Sequence, residues 1–452
     1  MMKIGSLPEM IRRFRRDEGG NFLMLFGLVL VPLIGVAGIA IDYSRASNTR
    51  QALNSAIDSA ALMAARDAQK LTDGQIRSRI DAWIRDNLPA NVKSEFSNAE
   101  ITIDRTARTI KIDAKATVPT TVSAVLGMSQ IPVATNSQST WGTNKIELAL
   151  VLDNTGSMSQ DSKMTNLKTA SKSLLKIMKE AAIDADQIRV SIVPFNTQVR
   201  INRALKDEPW IRYGMTRSVT MTCDRNGKNC TAPSGAAQSD ATISGCSTNN
   251  KGVMTCTETL TKANWAKSEG CIADRDQNYD VADGTSYTAN AQMYPATWCG
   301  QSSLVEAMGL TSDWTALSTK IDTMTPVGNT NVTIGAAWGW ATLSPSAPFT
   351  EAKPSTEPQL KKYMILLTDG DNTQNRFTTT QSAIDARTAL ACTGVKNAGI
   401  SLYTIRVIDG NATLLRNCAS NTNMYYEVSA ASQLDPIFKA IAKEISAVRL
   451  TQ

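Results

Sequence analysis

Residues 148–157 read Leu148-Ala-Leu-Val-Leu-Asp-Asn-Thr-Gly-Ser157, a short apolar run that ends in a carboxylate followed by two hydroxyls at alternate positions. A similar ending, Met364-Ile-Leu-Leu-Thr-Asp-Gly370, comes much later in the chain. Short apolar runs bounded by polar turns are typical of buried parallel strands. Ligands of open α/β sheets bind at the carboxyl ends of such strands, and clustered oxygen donors suit Mg²⁺ or Mn²⁺. The two runs therefore predict a cation site at one edge of a parallel sheet.

The chain around these runs alternates between strand and helix patterns. Further strands are predicted at 188–193, 400–408 and 424–428, and helices at 163–181, 314–324, 333–343, 383–398, 414–418 and 434–450. Such alternation predicts an α/β fold with a doubly wound, mainly parallel sheet, here over residues 143–452. A segment at about 206–303, rich in Ser, Thr, Asn and Gly, interrupts the pattern and is predicted to be an insertion.

Cysteine and histidine usage limits the chemistry. The chain has no histidine, which excludes Ser-His-Asp catalysis and His-ligated zinc. Six of the eight cysteines lie in the insertion without any Cys-x-x-Cys pair, so disulfides and an oxidising compartment are predicted. Six cysteines allow fifteen connectivities. The neighbour-first pairing is Cys223–Cys230, Cys246–Cys256 and Cys271–Cys299, and Cys392–Cys418 is predicted as a further bridge.

The N-terminal region carries a membrane signal. Residues 22–41 contain no charged side chain and are long enough to span a bilayer as a helix. Arg12, Arg13, Arg15 and Arg16 precede this segment and Asp42 follows it, which predicts a cytoplasmic basic tail at 1–21 and the bulk of the chain outside. A cleaved signal peptide is the alternative, but its apolar region would be shorter and would end in an Ala-x-Ala type site.

Residues 42–142 are predicted to form a small helical and α+β region. Leu53, Ile57, Ala60 and Ala64 recur at helical spacing, and a second helix places Ile76, Ile80, Trp83 and Ile84 on one face. Alternating apolar residues between 101 and 118 then indicate strands. The formal charge of +6 is small, and no basic cluster with interleaved aromatic residues appears beyond the N-terminus, so nucleic-acid binding is not expected.

Three loops resemble those of a von Willebrand factor A domain: Asp153-Asn-Thr-Gly-Ser157, Gly328-Asn-Thr-Asn331 and Leu367-Thr-Asp-Gly370. In that family the loops form a metal-ion-dependent adhesion site. The resemblance implies that Asp153, Thr155 and Ser157 of the first loop, Thr330 of the second and Asp369 of the third hold Mg²⁺ or Mn²⁺. The family usually has Ser where Thr155 stands, and Thr155 keeps the hydroxyl. The alternative is that these hydroxyls only cap the helix beginning near Ser162 and satisfy loop amides.

The N-terminal part is similar to another family. Asp17-Glu-Gly-Gly-Asn21, Ile41-Asp-Tyr-Ser-Arg45, the run from Leu53 to Ala65, and Val118-Pro-Thr-Thr-Val-Ser-Ala-Val-Leu-Gly-Met128 resemble TadG-like proteins of tight-adherence (Flp) pilus systems. This implies a bacterial envelope protein that helps assemble or anchor a pilus. Together with the membrane signal it predicts a single-pass inner-membrane protein with its bulk in the periplasm, with the cell surface as the alternative final location. Pilin-like members are cut after a Gly and carry Glu at the fifth mature position. Gly20 is available here, but Leu25 occupies that fifth place.

Two other features have plainer interpretations. Asp274-Arg-Asp-Gln-Asn-Tyr-Asp280 resembles the start of an EF-hand loop, but Tyr279 stands where Gly is required and Thr285 where the bidentate Glu belongs. A solvated acidic loop is therefore predicted. Trp338 and Trp340 are predicted to be core aromatic residues.

Together these patterns predict a membrane-anchored protein, not an enzyme, that binds other pilus components or a surface ligand through a magnesium site. One alternative is a minor pilin or scaffold whose metal site does not function. Another is an envelope hydrolase that uses the ion to activate water. The lack of histidine, and of a paired general base near the loops, argues against the hydrolase.

Overall fold

The structure is a computed structural model that describes residues 21–68, 71–141, 145–182, 184–240, 242–284, 286–300 and 304–447. The chain divides into two compact units, Met1–Thr143 and Asn144–Gln452. The predicted basic tail, with its four arginines and Gly20, lies outside the described residues.

In its described residues, the first unit combines three α-helices with one antiparallel sheet. The helices are α1 (Asn21–Asp67), α2 (Asp73–Asn87) and α3 (Ala90–Glu95), and the strands are β1 (Phe96–Asp104), β2 (Thr109–Pro119) and β3 (Gln130–Thr140). The strands pair antiparallel in the order β1-β2-β3. The predicted architecture of an apolar helix followed by a small α+β region is confirmed.

Helix α1 joins the apolar segment to the core of this unit without a break. From Met24 onward it is long and apolar enough to cross a membrane, by length and composition. Its second half buries Leu53, Ile57 and Ala60, as predicted from their spacing. Helix α1 thus contains both a segment that is long and apolar enough to span a membrane and a core segment.

Helix α2 begins with reciprocal capping bonds. The Gln75 N–H donates to Thr72 Oγ1 at 3.4 Å, and the Thr72 N–H donates to Gln75 Oε1 at 2.9 Å. The prediction that Trp83 shares the buried face with the three isoleucines of α2 is wrong, because Trp83 is 39% exposed. The isoleucines recur every fourth residue and form a narrow stripe, and Trp83 lies at its margin.

The second unit contains the remaining strands and helices. Its strands are β4 (Lys145–Asp153), β5 (Ile188–Phe195), β6 (Val199–Arg200), β7 (Ile211–Arg212), β8 (Thr216–Thr220), β9 (Ile243–Thr248), β10 (Met254–Thr259), β11 (Cys271–Ile272), β12 (Tyr294–Thr297), β13 (Met308–Thr311), β14 (Leu360–Thr368), β15 (Ser401–Val407) and β16 (Tyr425–Val428). Its helices are α4 (Lys163–Ala181), α5 (Lys262–Ser268), α6 (Trp314–Asp322), α7 (Val332–Leu343), α8 (Gln381–Asn397), α9 (Ala412–Cys418) and α10 (Leu434–Ala447).

A six-stranded sheet in the order β13-β5-β4-β14-β15-β16 forms the centre of the second unit. All neighbours are parallel except β13, which pairs antiparallel with β5 at one edge. Alternate residues of β4 serve the two faces: Leu148 and Leu150 pack with α4, α6 and α10, whereas Ala149 and Val151 pack with α7 and α8. The predicted doubly wound, mainly parallel sheet is confirmed. The edge strand β13 was not predicted.

The insertion forms one small sheet of its own, ordered β8-β10-β9, and contributes three strands to a second, ordered β6-β11-β12-β7, whose strand β6 precedes the insertion. The predicted disulfides Cys223–Cys230, Cys246–Cys256, Cys271–Cys299 and Cys392–Cys418 are all present. Part of the insertion also belongs to the main core: Tyr294 lies 4.9 Å from Trp338 of α7, ring centroid to centroid. Because the sheet covers one side of α7 and the insertion the other, nearly every residue of this helix is buried.

The pairing of all eight cysteines leads to a prediction about thiols and stability. The purified, folded protein is expected to release no reactive thiol when it is denatured without reductant. Replacing Cys392 and Cys418 by Ala is expected to lower the free energy of unfolding by about 2–4 kcal/mol, because the bridge joins two helices and restricts the unfolded chain. Thiol titration and denaturant unfolding are the measurements.

The matched control replaces Cys223 and Cys230 by Ala. This bridge has a sequence separation of 7 rather than 26, so its removal is expected to cost less. Six or more reactive thiols in the denatured wild-type protein would contradict the assignment.

Candidate metal centre

The turn after β4 folds back on the carboxylate of Asp153. The backbone N–H of Thr155 donates to Asp153 Oδ1 at 2.8 Å, which is the hydrogen bond of an Asx turn. The hydroxyl oxygens of Thr155 and Ser157 lie 3.0 Å apart. Asp153 and Thr155 are buried, so this loop presents its oxygens inside the fold.

The end of β14 brings the second carboxylate to the same place. Because β4 and β14 are parallel neighbours, with Leu152 opposite Leu367, the two strands end at the same level. The hydroxyl of Thr368 donates to Asp153 Oδ2 at 2.7 Å. The hydroxyl of Ser157 donates to Asp369 Oδ1 at 2.6 Å, which joins the first and third predicted loops.

The second predicted loop, residues 328–331, lies before α7 and next to the other two loops. The N–H of Gly156 donates to the carbonyl of Gly328 at 2.9 Å, and the N–H of Thr330 donates to Thr373 Oγ1 at 2.8 Å. A Cβ atom built on Gly370 would lie 3.8 Å from Ser157 Oγ and 3.9 Å from Thr330 Oγ1. Hydroxyls from the first and second loops therefore flank one point next to the third loop.

Two buried carboxylates side by side need positive charge. Burial raises the pKa of Asp153, and the neighbouring charge of Asp369 raises it further. Among the described residues Asp153 accepts from hydroxyl and backbone donors rather than from a cationic side chain. A proton or a cation close to the two carboxylates would therefore reduce their repulsion.

Sequence analysis missed Lys163, whose Nζ lies 2.9 Å from Asp369 Oδ2. Both side chains are buried, at 3% and 0% exposure. Lys163 is the first residue of α4, where the helix dipole disfavours a positive charge. A lysine at this unfavourable position could have indicated, from the sequence alone, that its charge is paired with an acidic side chain elsewhere. It neutralises one of the two carboxylate charges.

The donor set fits a hard divalent ion. It consists of oxygens only: two carboxylates from Asp153 and Asp369, and three hydroxyls from Thr155, Ser157 and Thr330. Such donors suit Mg²⁺ or Mn²⁺ better than softer metals. In the described part of the chain, no group of three or more Cys, Asp or Glu side chains could hold a metal, which leaves this mixed set as the candidate.

The capping alternative does not describe these hydroxyls. Helix α4 begins at Lys163, and its N-cap residue Ser162 makes no side-chain capping bond. The hydroxyls of Thr155 and Ser157 bond to each other and to Asp369 instead. They line the cluster and do not cap α4.

The insertion contacts the second loop through Asp274. Both carboxylate oxygens of Asp274 accept from Asn331 Nδ2, at 2.9 and 3.0 Å, and Oδ2 also accepts from the N–H of Arg376 at 3.1 Å. Arg376 and Arg212 both pair with Asp276, at 2.6 and 3.0 Å. We call Arg212, Asp274, Asp276, Asn331 and Arg376 the clamp. Because Asn331 follows Thr330, the clamp fixes the position of that predicted ligand.

The prediction of a solvated acidic loop at 274–280 is wrong. Asp274 and Asp280 are buried, and their charges meet partners that come from distant parts of the chain. Burial raises the pKa of Asp274 to about 6. The EF-hand position of Thr285 lies outside the described residues. Trp338 is a core residue as predicted, and Trp340 packs partly buried beside it.

Three solved structures to which this chain is similar are two proteins of bacterial pili and one protein of the mussel byssus. The von Willebrand domain of the type V pilus tip protein Mfa5 from Porphyromonas gingivalis is 10% identical, with a TM-score of 0.37, covering 69% of this chain and 98% of that one. The pilus adhesin SpaC from Lactobacillus rhamnosus GG is 12% identical, with a TM-score of 0.35, covering 77% and 34%. The proximal thread matrix protein 1 from the mussel byssus, with a zinc-occupied MIDAS motif, is 14% identical, with a TM-score of 0.32, covering 67% and 46%. This chain thus spans less than half of the last two proteins.

Among curated proteins, none matches the chain. One family model does: that of Flp pilus-assembly TadE/G-like proteins matches residues 20–67. These residues include the whole of α1 and two of the motifs on which the resemblance was based. Over residues 20–67 the chain therefore carries the TadE/G-like Flp pilus-assembly segment, and the family predicted from its sequence is confirmed there.

Proposed function

We propose that this pilus-associated envelope protein binds protein partners through a Mg²⁺- or Mn²⁺-dependent adhesion site made by Asp153, Thr155, Ser157, Thr330 and Asp369. The observation that carries the proposal is the convergence of these five oxygen donors at the carboxyl edge of the sheet. The TadE/G-like segment supports the pilus context. The chain is also similar to a pilus adhesin and to a pilus tip protein, which is consistent with that context.

The chemistry of the site favours an acidic partner. Two carboxylates, one of them paired with Lys163, leave about one negative charge for a divalent ion. Mg²⁺ prefers about six oxygen ligands and keeps some water. A carboxylate from the partner would add the missing charge and replace one water. When bound, the ion would supply this electrostatic link, while the loops and the clamp hold its ligands in place.

For localisation we propose a single-pass inner-membrane protein with a cytoplasmic N-terminus and a periplasmic bulk. Helix α1 fits a single-pass anchor by its length and composition. The four bridges suit an oxidising compartment. The domain limits proposed with it are 1–21 for the tail, 22–41 for the span, 42–142 for the TadE/TadG-like region and 143–452 for the von Willebrand A domain.

One observation favours a second candidate, a minor pilin or scaffold with a non-functional metal site. Lys163 already gives Asp369 an internal cation. In a scaffold this ion pair would be sufficient, and metal would have no effect. The two candidates therefore differ in what happens when Lys163 is removed. We propose binding rather than catalysis in either case.

Metal uptake is the first test. Calorimetry on the full-length protein in detergent is expected to show saturable uptake of Mg²⁺ or Mn²⁺. Asp153→Ala is expected to abolish it, and Thr330→Val to weaken it by about tenfold, because a hydroxyl ligand is lost at nearly constant volume. Asp371→Ala is the matched control, since Asp371 is an exposed carboxylate two residues from Asp369. Equal weak uptake by all four proteins would contradict a metal site.

Lys163→Met separates the binding protein from the scaffold in the same assay. Removing one partner of a buried ion pair costs about 3–5 kcal/mol of stability. In the metal-binding protein, Mg²⁺ is expected to restore stability by occupying the space beside Asp369. A variant that stays equally unstable with and without Mg²⁺ would support the scaffold.

Partner binding is the second test. Cells that carry Thr330→Val are expected to lose surface fibres or attachment, and EDTA is expected to produce the same loss in wild-type cells. Asp369→Ala is less suitable, because Asp369 is buried against Lys163 and its removal would leave the lysine without its partner. A deletion of residues 215–300, which would remove most of the insertion to test whether it selects the partner, is also unsuitable. It would remove Tyr294 from the hydrophobic core of the second unit. Normal fibres and attachment in Thr330→Val cells would count against a binding role.

Topology is the third test. A reporter that is active only outside the cytoplasm is expected to be active when fused after Gln452 and inactive when fused before Met1, because the basic residues before the span favour the cytoplasmic side. The opposite pair of activities would reverse the proposed orientation.

A further inference from the structure

The connection between β2 and β3, residues 120–129, is held against α1 at the place where the apolar segment ends. The carboxylate of Asp42 accepts from the backbone N–H groups of Thr121, Val122 and Ser123, at 3.0, 3.1 and 2.9 Å. The Thr121 hydroxyl adds a further bond to Asp42 at 3.2 Å. Asp42 is buried by these contacts although it directly follows the apolar segment.

The connection also reaches back along the apolar segment itself. A Cβ atom built on Gly38 would overlap the side chain of Val122, so Val122 packs directly on the backbone of α1 at that glycine. Gly38 precedes Asp42 by four residues, which is about 6 Å along a helix. The 120–129 connection therefore extends beside residues 22–41 rather than stopping at their end.

Large apolar side chains face outward at this connection. Val125 is 86% exposed and Met128 is 55% exposed, and they flank the tight turn at Gly127, whose φ is +90°. Tyr43, next to Asp42, is 73% exposed. Single exposed apolar residues are common on soluble proteins. These three residues, however, all lie close to the end of the apolar segment: Tyr43 follows Asp42, and Val125 and Met128 belong to the connection that is bonded to Asp42.

Polar side chains complete the pattern of a membrane interface. Arg45 lies one turn beyond the end of the apolar segment, and its guanidinium donates to Thr121 Oγ1 at 3.3 Å while remaining 47% exposed. Tyr and Arg are favoured at the headgroup level of bilayers, where one part of the side chain is apolar and another is solvated. Val125 and Met128 have no polar group, so their side chains suit the apolar layer next to the headgroups.

We propose that the 120–129 connection is a second membrane contact, which inserts Val125 and Met128 into the interfacial layer of the same bilayer that α1 crosses. The proposal rests on the proposed single-pass anchor. Its occupant is lipid, at the boundary between headgroups and acyl chains. Continuity with the apolar segment supports lipid over a protein partner, since the Val122 contact with Gly38 places the connection within that layer.

Fluorescence quenching tests this contact in the full-length protein in lipid nanodiscs. All eight native cysteines are paired, so a single introduced cysteine can carry an environment-sensitive dye. The test variants are Val125→Cys and Met128→Cys. Thr106→Cys is the control in the same unit, because it is exposed at the other end of β2, about 30 Å away. Val31→Cys reports on the span.

Lipids with brominated acyl chains are expected to quench the dye at residues 125 and 128 at least threefold more than at residue 106, and dissolved iodide is expected to do the reverse. Quenching at 125 and 128 by iodide alone, as at 106, would overturn the proposal. Shielding from both quenchers would also overturn it, because a protein would then cover the connection. If the dye at residue 31 also escapes the brominated lipids, the anchor itself fails, and with it the proposed localisation.

Discussion

A carboxylate buried at the end of a central strand imposes the main constraint on the second unit. Asp153 is fully buried at the end of its strand, and neighbouring elements contribute compensating groups to it and to Asp369. The turn after β4 supplies a backbone N–H, and β14 supplies the Thr368 hydroxyl. Helix α4 supplies Lys163 to the adjacent Asp369. A buried charge is tolerated only when it is solvated by such groups, so the positions of the turn after β4, the end of β14 and the start of α4 depend on this pair of carboxylates.

The sequence was sufficient wherever the signal was local. Alternating strands and helices produced the doubly wound sheet, because each apolar run reflects burial on both faces. The three bridges of the insertion, Cys271–Cys299 among them, match the neighbour-first pairing of a segment that has little other periodicity. The first and third loops could be joined in advance because parallel strands end at one edge. The spacing of hydroxyl and carboxylate residues after the two strands was therefore enough to predict most residues of the candidate site.

Features that depend on distant partners could not be predicted in this way. Asp274 resembled part of a calcium loop, yet its partners Asn331 and Arg376 are remote in sequence, and nothing near 274–280 indicates them. The same holds for β13, a short antiparallel edge strand without an apolar run of its own. Lys163 falls between these cases. Its place at a helix N-terminus is locally unfavourable, which is a signal, but its partner is visible only in the folded chain.

The unbroken course of α1 has a mechanical consequence. The helix has 47 residues, about 70 Å, of which the first half is apolar and the second half forms part of the core of the small unit. Pro32 lies within the apolar half, so the point where a bend is easiest is located in that half and not beside the core. In a bilayer, thickness mismatch changes the tilt of a spanning helix. Because the two halves form one continuous helix, a change of tilt in the bilayer would change the orientation of the small unit relative to the membrane. Rotation of the small unit would in turn rotate the apolar half of the helix within the lipid.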